Sequence, residues 1–67
     1  MAQKEGNVTW GDVGDYTWTV FLTKKGWKWM VSNSMVGPIE SGYISSEAEG
    51  LKAAQQRLEE LGVSMQQ

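Results

Sequence analysis

The chain has 67 residues, a formal net charge of −2, and neither cysteine nor histidine. That length makes one domain at most, burying only about 60% of the surface its unfolded form exposes. Disulfides, the usual zinc sites, an imidazole base and a thiolate nucleophile are all excluded by composition.

Residues 1–14, MAQKEGNVTWGDVG, carry three glycines and only separated apolar positions. They read as a flexible N-terminal arm, with Val8 to Trp10 as a short edge strand. From Tyr16 the pattern changes. YTWTVFLT alternates with period two, placing Tyr16, Trp18, Val20 and Leu22 on one face and Thr17, Thr19, Phe21 and Thr23 on the other. Almost every residue there is β-branched or aromatic, which is strand chemistry.

The next stretch, KKGWKW, holds three of the six basic residues and two of the four tryptophans. Lys24-Lys25-Gly26 reads as a tight turn in which glycine can take a positive φ. Trp27, Trp29 and Val31 then share one face of the returning strand, and Lys28, Met30 and Ser32 the other. SMVGP is a second turn, and Pro38 suits the start of a strand because it has no N–H. IESGYI is a third, shorter strand, with Tyr43 and Ile39 expected on the tryptophan face and Glu40 and Ile44 opposite.

The period then switches to that of a helix. Ser46 followed by Glu49 has the spacing of a capping box. Ala48, Leu51, Ala54, Leu58 and Leu61 follow as one apolar stripe. Gly62 stands where a C-terminal cap belongs, and Gly50 inside the helix suggests close packing on the sheet. The expected fold is α+β with two layers: a three-stranded antiparallel β-meander on one C-terminal helix (β-β-β-α), spanning residues 15–62. Residues 63–67 read as a frayed tail.

The segment GYISSEAEGLKAA, a strand ending in Gly-aromatic-x-Ser and leading into a capped helix, resembles several small β-β-β-α families. It is similar to the arm-binding domains of tyrosine integrases, the ethylene-response type of plant DNA-binding domain, and the small YegP-like bacterial proteins. In the DNA-binding members the resemblance implies an arginine-rich sheet face. Here the chain has one arginine, Arg57, on the helix, and no family follows.

No catalytic, cofactor-binding or metal-ligating constellation is expected. No glycine-rich loop links a strand to a helix N-terminus. Asp12 and Asp15 in GDVGD fall short of the oxygen cage that calcium requires. With no leader pattern and no apolar run near the ~18 residues of a spanning helix, a cytoplasmic protein without a membrane partner is expected.

One helix covers one sheet face, so the other should expose an apolar cluster of Phe21, Met30 and Ile44, with Trp10 folding over it or inserting into a partner. The resulting expectation is a non-catalytic protein-interaction module, binding a protein partner or itself as a homodimer. Its size and acidity suit a phage or other mobile element. The alternative is a nucleic-acid-binding module using Lys24, Lys25 and Lys28 with neighbouring aromatics, against which the net negative charge weighs.

Overall fold

The structure, a computed structural model, describes residues 2–63. It is an α+β domain with one five-stranded antiparallel sheet and one helix. The strands are β1 (Gln3–Glu5), β2 (Val8–Val13), β3 (Tyr16–Thr23), β4 (Gly26–Asn33) and β5 (Gly37–Ile44), followed by α1 (Glu47–Glu60). Each strand pairs with the next in sequence, so the sheet order is β1-β2-β3-β4-β5.

The three-stranded meander expected from sequence is thus corrected to five strands. The flexible arm of residues 1–14 is corrected too, since β1 and β2 occupy most of it. Two hairpin turns make this so. Gly6-Asn7 joins β1 to β2 and Gly14-Asp15 joins β2 to β3, each glycine at φ 59°. A two-residue hairpin loop accepts glycine at that first position because a Cβ there would be strained. Of the frayed tail, Val63 packs against the core, and residues 64–67 lie outside the described residues.

Between sheet and helix lies a core of Trp18, Val20, Val31, Ala54 and Leu58, with Trp27, Trp29, Leu51, Leu61, Val13 and Tyr16 packed around it. Cross-strand register builds it: Trp18 faces Val31, and Val20 faces Trp29. Bare backbone seats the large rings. A Cβ at Gly11 would stand 2.8 Å from the Trp18 indole, and one at Gly42 would stand 3.1 Å from Trp29 Nε1. Each ring therefore lies across the neighbouring strand where no side chain competes.

The helix is capped as its sequence suggests. Ser46 Oγ accepts a hydrogen bond from the Glu49 N–H (3.2 Å), while the Ser45 hydroxyl donates to the Glu49 carboxylate (2.6 Å). At the other end Gly62 N–H donates to Glu59 C=O, and Val63 N–H to Leu58 C=O, both 3.0 Å. That is the paired Schellman arrangement, with Gly62 at φ 89°.

Glu47 ties the N-terminal strands to the helix. Its Oε2 accepts from Thr9 Oγ1 at 2.9 Å and its Oε1 from Lys4 Nζ at 3.1 Å. The Thr9 hydroxyl, then the Lys4 ammonium, hold the Glu47 carboxyl below the ordinary glutamate range. This contribution to stability is present above that range and is lost as pH falls through the depressed pKa.

Gly50 decides how closely helix and sheet approach. A Cβ there would fall 2.7 Å from Val20 Cγ1, and Val20 is fully buried. Alanine gains about 1 kcal/mol of helix propensity, but overpacking a rigid site costs about 1–3 kcal/mol. Because Val20 has nowhere to move, Gly50→Ala should lower the thermal midpoint. An unchanged or raised midpoint in a calorimetric scan would show that the helix rides further from the sheet.

Candidate functional site: the uncovered sheet face

Thr9 and Gly11 turn toward the helix, as shown by the Thr9–Glu47 bond and the Gly11–Trp18 approach. Alternation then sends Val8, Trp10 and Asp12 of β2 to the opposite face. Phe21 and Thr19 of β3, Lys28 and Met30 of β4, and Ser41 and Tyr43 of β5 join them by register.

Two neighbouring cross-strand rows carry most of the apolar surface. One runs Gln3, Trp10, Thr19, Met30, Ser41, and the other Glu5, Val8, Phe21, Lys28, Tyr43. Residues adjacent in a row stand about 5 Å apart and the rows about 7 Å apart, so these side chains form one contiguous patch. Trp10, Phe21 and Met30 are half-buried by their neighbours. Val8 is 37% exposed and Tyr43 53% exposed. Lys28 Nζ sits 5.3 Å from the Tyr43 ring centroid, a cation–π approach that draws its charge into the patch.

Of the side chains expected here, Phe21, Met30 and Trp10 are brought together. Ile44 is not. It pairs with Trp27, two residues beyond Gly42 opposite Trp29, and so lies on the helix side. The Cβ position of Gly50 is 3.4 Å from Ile44 Cγ2. Tyr43, expected under the helix, takes the outward place instead. The physical cause is the bare backbone on which Trp29 rests: Gly42 shares the Trp29 face, which fixes the phase of Glu40 and Ile44 along with it. Ile39 falls at the register shift opposite Val31 and Ser32, a bulge that breaks strict alternation.

Lys24 and Lys25 are exposed at the β3–β4 turn, where the Thr23 hydroxyl donates to Gly26 C=O and accepts from Lys25 N–H (2.7 and 3.1 Å). Trp27 and Trp29 pack against the core. Among the described residues no group of three or more acidic side chains could hold a metal ion. Asp12 accepts a hydrogen bond from Thr17 Oγ1 at 2.8 Å.

A concavity of about 210 Å³ lies between α1 and β5 and is lined by Trp29, Glu40, Ala53, Gln56, Arg57 and Glu60. Arg57 spans it, with Nε 2.8 Å from Glu40 Oε1 as an ion-pair contact and Nη1 3.0 Å from Glu60 Oε1. The Nε is buried and makes no aligned hydrogen bond. This ion pairing gives Glu60 a structural partner despite its place at the acidic-disfavouring end of the helix.

No helix among the described residues is long and apolar enough to cross a membrane. Compared with known proteins, the chain matches no family model, no curated protein and no solved structure.

The placement of Ile44 and Tyr43 is directly testable. Ile44→Ser should cost about 2 kcal/mol, because it removes apolar surface beneath the helix. Tyr43→Ser should cost less than about 1 kcal/mol, as for an exposed position. Urea unfolding of the two variants gives the comparison, and a reversed order would mean the phase of β5 is wrong.

Proposed function

We propose that this chain is a small non-catalytic protein-interaction module that docks a protein through its uncovered sheet face. The supporting observation is the gathering of Val8, Trp10, Phe21, Met30 and Tyr43 on one face. Scattered apolar residues on a surface need no explanation, but a contiguous patch with aromatic members is the usual composition of an interface core. Of the polar residues around them, Thr17, Thr19, Thr23, Ser32 and Ser41 are neutral and cost less to desolvate than the charged Glu5, Asp12 and Lys28 of the same face. Its size and acidity remain compatible with a phage or mobile-element source, and the cytoplasm is the compartment we propose for it.

Lys28 between Phe21 and Tyr43 favours a second reading, in which the same face stacks on single-stranded nucleic acid. Glu5 in that row and the net charge of −2 favour the protein partner. A polynucleotide ligand would reveal itself by an affinity that falls steeply with added salt.

The test is the double substitution Phe21→Ser with Met30→Ser. It should leave the circular dichroism melt cooperative while removing protein association, read by sedimentation and by the proteins retained from host lysate relative to wild type. An aromatic anchor of this kind contributes about 2 kcal/mol or more to binding. A double variant that stays folded with both readouts unchanged would show that this face is not the docking surface. One that unfolds would make the patch part of the monomer's core.

A further inference from the structure

Resting on that reading, we infer that the protein docked on the open face is a second copy of this chain, related by a two-fold axis parallel to β3. The face is self-complementary about that strand. β3 is the middle strand of the sheet, so rotation about an axis along it lays β2 on β4 of the second copy and β1 on β5. In the first row this places Trp10 over Met30 of the second copy, and Met30 over its Trp10. A ring thus meets a flexible thioether twice, a favourable contact, and Thr19 meets Thr19 at the axis. In the second row Phe21 lies against Phe21 on the axis, and Val8 receives the aliphatic stem of Lys28.

Charge follows the same symmetry. On the open face the acids Glu5 and Asp12 stand on β1 and β2, and the base Lys28 stands on β4. The two-fold along β3 brings Glu5 over Tyr43 of the second copy, one strand from its Lys28, and repeats the pairing on the other side. An axis across the strands would lay β4 on β4 and leave opposite charges on opposite sides of the interface. Only the first arrangement places acid near base twice, as an isologous contact does.

The area sets the strength. Five strands at ~4.8 Å and six residues at ~3.4 Å make a face of roughly 24 by 20 Å, or about 480 Å² per copy. Two such faces bury roughly 960 Å², close to the ~1,000 Å² at which specific interfaces begin. The pairing is therefore reversible and concentration-dependent rather than permanent.

The absence of native cysteine permits a direct test. Thr19→Cys puts a single thiol at the proposed axis, and Lys52→Cys puts one on the exposed outer side of the helix. Packed sheets stand about 10 Å apart, so a bismaleimide of that span can join two axial thiols. At a few hundred micromolar protein, Thr19→Cys should form covalent dimer about tenfold faster than Lys52→Cys, because pairing raises the effective thiol concentration into the millimolar range. Adding Phe21→Ser should abolish the difference. Thr17→Cys, on the same strand and face, serves if Thr19→Cys does not fold. Equal rates for the axial and helix thiols, or wild-type protein that sediments as a dimer while folded Thr19→Cys forms no covalent dimer, would overturn the two-fold geometry. A wild type that is monomeric throughout, while Phe21→Ser with Met30→Ser still loses proteins retained from lysate, would remove the second copy as the occupant and leave the docking reading standing.

Discussion

The Trp18 indole lies against the backbone of β2 at Gly11, where a Cβ would stand only 2.8 Å from the ring. Much of the architecture depends on that contact. The glycine lets the ring spread across two strands, so β2 is held to β3 by apolar contact as well as by its hydrogen-bond ladder. Trp29 repeats the arrangement on the other flank over Gly42. Two rings pointing outward from the central pair thus bind the flanking strands. They also flatten the surface on which the helix rests, and Gly50 brings the helix close enough to seal Val20. In a domain without cysteine or histidine, rings seated on bare backbone supply burial that aliphatic side chains of this number could not.

The same economy leaves the sheet unequal on its two sides. A helix of 14 residues is about 21 Å long and about 10 Å across. It can cover the middle strands of one face and no part of the other. Incorporating β1 and β2 widens the sheet without covering the opposite side, and it adds Val8 and Trp10 to the surface that already carries Phe21 and Met30. The core and the proposed docking surface are therefore products of one alternation. Away from the bulge at Ile39, each strand residue that faces the helix sends its neighbours to the open side.

The central hairpin and the helix were legible because their patterns are uninterrupted. Tyr16 to Thr23 alternates without a break, and Ser46, Glu49 and Gly62 mark the helix ends by chemistry that acts locally. The N-terminal strands were harder to read because their small and polar residues are the ones the tryptophans need beneath them. Gly11 looks like a strand breaker until Trp18 is placed on it, and buried Thr9 looks solvent-facing until Glu47 reaches it. The Gly6-Asn7 and Gly14-Asp15 pairs did carry a hairpin signal, which the lack of an uninterrupted β-branched run on the N-terminal side of each pair obscured. The phase of β5 failed for a related reason. Tyr43 is the large aromatic of that strand, and bulk alone assigns it to the core, whereas the core side is set by Gly42, whose contribution is to have no side chain. Patterns of bulk reveal which strands are strong, but they do not reveal where bulk must be absent.

The four tryptophans divide between the two sides of the sheet, which gives a single readout for the division of labour between the faces. Trp18, Trp27 and Trp29 belong to the core side, and Trp10 lies on the open face by register. Proton–nitrogen spectra resolve each indole N–H as a separate signal. On dilution from the millimolar to the low micromolar range, the Trp10 signal should move while the three core signals stay fixed. A Trp10 signal that does not move, or core signals that move in its place, would contradict an open face that docks a second copy over an unchanging core.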